Sequence, residues 1–208
     1  MSTSERLVYV VRHGATDWNQ SGRIHGHMDI PLNETGRAQA RLVSRRLATI
    51  RATALYSSDL LRAYETAQII GQAAGLCVVQ KPGLREINFG VWQGLSSPQI
   101  RERDPDVYAA RRANPYDVAP AGAETWRSFY DRAVQAVDEI LAVTEAERVV
   151  VVTHSGVCTV LGLRALGFDC TGKRTFDSHN CGIHTLAVHG DTWRAVALND
   201  ITHLTGAC

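Results

Sequence analysis

The feature that most constrains the fold is an apolar run at residues 7–11 that ends abruptly in Arg12, His13 and Gly14. Unbroken runs of Val, Leu and Tyr are typical of strands inside a parallel sheet, because both faces of such strands are covered. Ligands of these sheets bind just beyond the carboxyl ends of the strands. The run therefore predicts a buried strand whose last residues reach the edge of a binding site.

The three residues that end this run suit chemistry on an anionic substrate. A neutral imidazole such as that of His13 can attack an electrophile, and the Arg12 guanidinium can hold a phosphate or carboxylate through two parallel hydrogen bonds. We expect Gly14 to let a bulky ligand approach the backbone. A surface arginine and a capping histidine would explain the same tripeptide, so its assignment depends on the rest of the chain.

A second apolar run repeats this arrangement. Residues 148–153 are followed by His154, Ser155 and Gly156, and a helix is predicted over 156–166. The backbone N–H of Ser155 stands at the start of that helix, where we expect it to be free to bind an anion. The two strand ends therefore predict one pocket that contains both histidines.

Strands and helices alternate along the chain, which predicts an α/β sandwich of three layers with a mostly parallel central sheet. Further strands are predicted at 54–57, 76–79, 181–189 and 193–199, with a hairpin turn at Gly190 and Asp191. Further helices are predicted at 34–50 with Asn33 as N-cap, at 59–74 with Ser58 as N-cap, and at 124–144.

Two charged residues outside the strand ends are candidates for the same site. Arg62 falls one turn inside the helix 59–74, close to an amino terminus whose free N–H groups favour an anion. Glu86 lies between apolar residues in the glycine-punctuated stretch 84–94. The segment 96–122 is interrupted by prolines and rich in charge, so we expect a helical excursion that caps the site.

Composition excludes several classes of protein. The chain of 208 residues has 22 Lys and Arg against 21 Asp and Glu, a net charge of +1, so neither nucleic acid nor an anionic membrane is expected as a partner. We expect a single domain, 1–208, with 96–122 as a cap insertion. The apolar run after the polar lead 1–6 is too short for a signal peptide or a membrane span.

Cysteine and histidine usage adds two expectations. The five cysteines are odd in number and form no close pair, which indicates reduced thiols and a cytoplasmic location. They are Cys77, Cys158, Cys170, Cys181 and Cys208. The eight histidines include no paired spacing such as H-E-x-x-H, so no metal site is predicted.

Four ordered motifs, at 11–19, 57–67, 84–94 and 152–156, resemble those of the histidine phosphatase superfamily. The resemblance covers essentially the whole chain and is to the branch that contains cofactor-dependent phosphoglycerate mutase and small broad-specificity phosphatases. It implies a phosphoglycerate-mutase-like α/β fold and a metal-independent phosphatase of the histidine acid type. It also implies a small phosphorylated metabolite as substrate, and it leaves a homodimer open.

The resemblance also implies roles for individual residues. His13 becomes a phosphohistidine, three residues hold the phosphoryl oxygens, and Glu86 protonates the leaving oxygen. The three residues that hold the oxygens are Arg12, Arg62 and His154. We expect His13 to be neutral and hydrogen-bonded to a backbone acceptor, and His154 to be protonated beside the anion. Residues expected to complete the pocket are Thr16, Asn19, Ser155 and His25, the last at a position where relatives often carry glutamine or a small residue.

Two alternatives to a phosphatase remain open at this point. A mutase would use the same phosphohistidine, with bisphosphoglycerate as primer, but Phe89 replaces the tyrosine that follows the catalytic glutamate in mutases. Arg111 and Arg112 resemble a mutase pair and could hold a substrate carboxylate, or they could form a solvated helix face. An inactive binding module is disfavoured by the intact catalytic motifs. A phosphatase needs no cofactor.

Overall fold

The centre of the protein is a six-stranded sheet in a computed structural model that describes residues 5–205. The strands are β1 (Arg6–Arg12), β2 (Ala54–Ser57), β3 (Val78–Gln80), β4 (Arg148–Thr153), β5 (Ile183–His189) and β6 (Thr192–Asp200). Their order across the sheet is β3-β2-β4-β1-β5-β6. The pairs β3-β2, β2-β4 and β4-β1 are parallel, while β5 is antiparallel to β1 and β6. The prediction of a mostly parallel sheet is confirmed.

Helices cover both faces of this sheet. They are α1 (Asp17–Gln20), α2 (Glu34–Ala48), α3 (Leu61–Ala74), α4 (Ser97–Arg103), α5 (Pro105–Ala113), α6 (Trp126–Val143), α7 (Ser155–Ala165) and α8 (Thr202–Thr205). On β4, Val149 and Val151 pack with α6 and α7, while Val150 and Val152 pack with α2 and α3. Since alternate side chains of a strand point to opposite faces, two buried faces require an unbroken apolar run.

Local signals account for most element boundaries. The Asn33 side chain accepts a hydrogen bond from the Gly36 N–H and caps α2, and Gly75 ends α3 in the left-handed conformation with φ 69°. Gly190 occupies the predicted turn between β5 and β6 with φ 56°. These residues satisfy backbone groups or adopt backbone angles that other residues adopt at a cost.

Two boundaries differ from the sequence prediction. Helix α3 begins at Leu61 with Leu60 as N-cap, because the Ser58 hydroxyl is engaged by His154 and by the Leu60 N–H. Asp59 lies outside the helix and pairs with Arg85 at 2.6 Å. Strand β3 covers 78–80 instead of 76–79, because the chain is still bonded to the end of α3 at residue 76.

The segment 96–122 leaves the sheet as predicted and forms the helices α4 and α5. The Trp92 indole N–H donates to Asp104 between these helices at 2.9 Å, and Ile100 is buried beneath them. Its role as an inserted cap remains a prediction. Within residues 5–205, no helix is long and apolar enough to cross a membrane. The four cysteines of this range are free, and Cys208 lies outside the described residues.

Candidate active site

The two predicted strand ends meet at the carboxyl edge of the sheet. Strands β1 and β4 are paired neighbours in a register that sets Arg12 opposite Thr153, and the His13 N–H extends the ladder to the Thr153 carbonyl at 2.8 Å. His13 and His154 therefore follow matched positions on adjacent strands. Their ring centroids are 5.2 Å apart with an interplanar angle of 61°.

The hydrogen bond of His13 Nδ1 leaves its Nε2 nitrogen available as a nucleophile. Its Nδ1 lies 2.7 Å from the Gly14 carbonyl oxygen, which can only accept, so Nδ1 carries the proton and Nε2 carries the free lone pair. The residue is 4% exposed. Burial, followed by the charges of Arg62 and Arg12, holds the pKa of His13 well below its usual range. The backbone acceptor and the neutral state expected for a nucleophilic histidine are both present.

Gly14 has a different role from the one expected. A Cβ atom at this position would lie 2.5 Å from the Gly36 carbonyl oxygen in the first turn of α2. The Gly14 N–H donates to the Thr66 hydroxyl on α3 at 3.1 Å. The glycine is therefore needed for the close packing of the strand end against α2, rather than for the approach of a ligand.

The two predicted arginines point into this region without a carboxylate partner. The Arg62 guanidinium is fully buried and donates to the Met28 and Gly26 carbonyls at 2.9 and 2.8 Å. Arg12 donates to the Ser178 carbonyl at 2.6 Å. Burial lowers the pKa of both groups, and that of Arg62 falls to about 10. Arg62 is buried and Arg12 half-buried, and within residues 5–205 neither has an ion pair with a carboxylate, so this region favours an anion.

The protein groups around His154 favour its neutral form. Its Nε2 lies 2.8 Å from the Ser58 hydroxyl, and both residues are fully buried. Burial, followed by the charges of Arg62, His13 and Arg12, holds the pKa of His154 well below its usual range. The protein alone therefore keeps this imidazole neutral. A phosphoryl dianion beside it would raise the pKa and favour the charged form.

Unsatisfied nitrogen atoms are concentrated at this point of the molecule. Among the described residues, four buried side-chain nitrogen or oxygen atoms have no hydrogen-bond partner, and three of them are Arg12 Nε, Arg62 Nε and His154 Nδ1. Buried polar atoms are normally paired, so a cluster of three unpaired nitrogens needs an explanation. A ligand with several acceptor oxygens supplies one.

Glu86 is held by backbone donors. Its Oε1 accepts from the Ile87 and Gly156 N–H groups at 3.0 and 3.2 Å, and its Oε2 accepts from Gly156 at 3.2 Å. A Cβ atom at Gly156 would lie 2.2 Å from Oε1. The glycine that follows the second histidine motif is therefore required for the approach of this carboxylate. The charge of Glu86 raises the pKa of both Arg12 and Arg62, which places all three groups in one electrostatic environment.

Thr16, Asn19 and His25 are used mainly to build the loop beside His13. The Thr16 hydroxyl and the Asn19 amide oxygen form a reciprocal cap on α1, and His25 Nε2 lies 2.6 Å from Thr16 Oγ1. Asn180 donates to both the Asn19 oxygen and the His13 carbonyl. Burial lowers the pKa of His25 to about 4. The Thr16 hydroxyl is thus already engaged, and the amide nitrogen of Asn19 is the group left to meet a ligand.

The remaining predicted residues divide into one near the site and two in the cap segment. Ser155 is the first residue of α7, so its N–H has no acceptor within the helix. Arg111 donates to the Val118 carbonyl at 2.8 Å and stacks on Phe89, with its guanidinium carbon 5.6 Å from the ring centroid. Arg112 is exposed on α5. Arg111 is thus partly engaged by the protein, and the role of this pair in holding a substrate carboxylate remains a prediction.

A cavity of about 480 Å³ opens beside Glu86. Besides this carboxylate, its lining includes Ser155 and Gly156, the aromatic side chains of Phe89 and Trp126, and the cationic side chain of Arg174. The sequence indicated Ser58 only as a helix cap. It did not indicate Asn180 or Arg174, because neither belongs to a periodic segment or to one of the four motifs. Within residues 5–205, no group of three or more His, Cys, Asp or Glu side chains is arranged to hold a metal ion.

Comparison with known proteins agrees with this geometry. The profile of the histidine phosphatase superfamily, branch 1, matches residues 8–201. Phosphoglycerate mutase-like protein 4 of Arabidopsis thaliana is 38% identical over 95% of this chain and 86% of its own length. The metal-independent phosphoserine phosphatase of the same plant is 35% identical over 95% of this chain and 83% of its own.

A solved structure extends the similarity to three dimensions. The mycobacterial glucosyl-3-phosphoglycerate phosphatase, in a complex with VO3, is 31% identical, with a TM-score of 0.83 over 93% of this chain and 99% of that chain. These similarities confirm the predicted fold and phosphatase-type enzyme, and support the mutase alternative less well. The chain belongs to branch 1 of the histidine phosphatase superfamily.

Proposed function

We propose that the protein hydrolyses a small phosphate monoester through a phosphohistidine at His13. The observation that carries this proposal is the cluster of unpaired nitrogens, Arg12 Nε, Arg62 Nε and His154 Nδ1, next to the neutral His13. A phosphoryl group offers three oxygens to such donors, and fixed cations stabilise the charge that spreads over these oxygens in the transition state.

The proposed first step transfers the phosphoryl group to the protein. His13 Nε2 attacks phosphorus, the bond from phosphorus to the ester oxygen breaks, and Glu86 gives its proton to that oxygen. The Gly14 carbonyl keeps the proton of His13 on Nδ1 throughout. His154 donates from Nδ1 to the phosphoryl group once the anion raises its pKa, while Nε2 stays on Ser58.

The proposed second step returns the protein to its starting state. The Glu86 carboxylate takes a proton from water, and the water oxygen attacks the phosphorus atom on His13. The nitrogen–phosphorus bond breaks, inorganic phosphate leaves, and Glu86 is again protonated. Arg12, Arg62 and His154 supply the positive charge that metal ions supply in many other phosphoryl-transfer sites, so we propose that no metal is needed.

A mutase is the second candidate, and one observation weighs against it. Arg111, the residue that resembles part of a mutase substrate site, is engaged by the Val118 carbonyl and Phe89. Incubating the protein with 3-phosphoglycerate and a bisphosphoglycerate primer separates the two candidates. A phosphatase releases inorganic phosphate, whereas a mutase interconverts the phosphoglycerates faster than it releases phosphate.

The central experiment traps the intermediate. Rapid acid-free quenching with radiolabelled p-nitrophenyl phosphate should label the wild-type chain with an acid-labile, base-stable adduct. His13→Ala should abolish both label and turnover, while the matched variant His189→Ala, at an exposed position of β5, should retain them. Turnover should also survive EDTA. An adduct on serine, threonine or cysteine, or full turnover by His13→Ala, would contradict the proposal.

Two further proposals concern the location of the protein and the role of the segment 96–122. We propose a cytoplasmic location, supported by the free state of the cysteines within residues 5–205 and tested by cell fractionation. We propose that 96–122 caps the substrate, which limited proteolysis with and without vanadate can test. The oligomeric state, monomer or homodimer, is measured by sedimentation.

A further inference from the structure

One cationic side chain lines the cavity beside Glu86 without belonging to the phosphoryl pocket. Arg174 lies in the loop between α7 and β5, and it shares the lining of this cavity with Glu86 and Ser155. After the larger effect of burial, the positive charge of Arg174 helps to lower the pKa of Arg12. Arg174 and Glu86 therefore face one cavity, and the part of an ester beyond its phosphoryl group would occupy this cavity.

The guanidinium of Arg174 is weakly engaged by the protein. Its ion pair with Asp177 has an N–O distance of 3.8 Å, and the two side chains are 43% and 74% exposed. Exposed ion pairs of this kind contribute little to stability. An anionic group of a ligand can therefore replace Asp177 at little cost. Arg111, which the sequence suggested for such a role, lacks this freedom because Val118 and Phe89 hold it.

The other walls of the cavity favour an orientation in which a charged group of the leaving alcohol points toward Arg174. They include the apolar side chains of Ile87, Phe89, Trp126 and Leu163. A charged group on the leaving alcohol gains nothing from contact with these apolar surfaces. Arg174 is the basic side chain in this lining, so a negative group would be drawn to it.

We propose that Arg174 binds a carboxylate on the leaving group, so that the protein acts preferentially on phosphate esters of hydroxy acids, including hydroxy amino acids. This inference rests on the phosphatase function proposed above. One guanidinium matches one carboxylate in charge and in the geometry of its two parallel N–H groups. A second phosphoryl dianion would call for a further cation, which the lining of this cavity does not supply.

Matched substrate pairs test this proposal directly. O-phosphoserine and O-phosphoethanolamine differ by one carboxylate, as do 3-phosphoglycerate and glycerol 3-phosphate. In the wild type we expect kcat/KM to be at least about tenfold higher for the carboxylated member of a pair, since a charge-assisted hydrogen-bonded contact contributes about this much or more. Arg174→Ala should reduce this preference by about 10- to 100-fold.

Two further variants test whether the substrate preference depends on the two parallel N–H donors of the Arg174 guanidinium. Arg174→Lys keeps the charge but loses the two parallel donors, so we expect an intermediate preference. Lys173→Ala removes the neighbouring exposed cation, which is not in the cavity lining, and should keep the wild-type preference. An equal fall in kcat/KM for both members of a pair would show that Arg174 supports the phosphoryl pocket or the fold instead, and would overturn the proposal.

The outcomes separate this inference from the proposed function. If the wild type hydrolyses p-nitrophenyl phosphate and labels His13, but treats the paired esters alike, the phosphatase stands and the role of Arg174 is wrong. If no ester is hydrolysed and His13 is not labelled, the phosphatase itself is wrong, and the inference is lost with it.

Discussion

Acid should destabilise this fold through a buried histidine behind the active site. His184 is fully buried on β5, where its Nδ1 accepts the Asn199 N–H at 3.2 Å and its Nε2 lies 3.2 Å from the Ser178 hydroxyl. Burial, followed by the charge of Arg174, lowers the pKa of His184 to about 4. The Ser178 carbonyl in turn holds Arg12, so the acid-sensitive contact is one residue from the phosphoryl pocket.

The size of the effect follows from linkage. The unfolded chain binds a proton at His184 with a pKa of about 6.5, whereas the folded protein resists protonation until about pH 4. The contribution of His184 to the free energy of unfolding is therefore fully retained well above pH 6.5. It falls as the pH drops, because the unfolded state binds more protons. At pH 5 the two pKa values correspond to a loss of about 2 kcal/mol, and the loss reaches about 3 kcal/mol below pH 4.

Urea unfolding at pH 7.5 and pH 5 measures this loss. His184→Gln retains one acceptor and one donor but no titrating ring, so its loss between the two pH values should be about 2 kcal/mol smaller than that of the wild type. His13 and His154 also have lowered pKa values and add to the loss in both proteins, which is why the difference is the readout. His189→Gln controls for removing an exposed histidine from the same strand. Equal losses in His184→Gln and the wild type would refute the reasoning.

Three substitutions test the neighbours of the reacting atoms. Glu86→Gln should lower kcat/KM by about 10²- to 10⁴-fold on an alkyl phosphate and much less on p-nitrophenyl phosphate, whose leaving group hardly needs a proton; equal losses would assign Glu86 to binding. Gly156→Ala should show the same leaving-group dependence, because its Cβ would displace the Glu86 carboxylate. Ser58→Ala should lower kcat by about 10- to 100-fold and shift the alkaline limb of its pH profile downward, since protonated His154 loses an acceptor. Ser57→Ala, at a buried serine that bonds the Ser58 carbonyl, is the control, and an unmoved limb in Ser58→Ala would reduce Ser58 to a packing role.

Local features of the chain were sufficient to predict the framework. The unbroken apolar runs of β1 and β4 indicate strands covered on both faces, and the structure packs alternate valines of β4 against different helix layers. Asn33 and Gly75 marked a helix start and a helix end, because capping depends on residues adjacent in sequence. The family motifs predicted five residues of the candidate site: His13, Arg12, Arg62, His154 and Glu86.

The tertiary structure decided how these groups are prepared for chemistry. His154 Nε2 contacts Ser58, 96 residues away, and the position of Glu86 depends on Gly156, 70 residues away. Arg111 contacts the Val118 carbonyl and Phe89, and Arg174, which belongs to no motif, lines the cavity. Periodicity and capping record only neighbours along the chain. The burial and proton positions that determine reactivity depend on which distant segments the order of the sheet brings together.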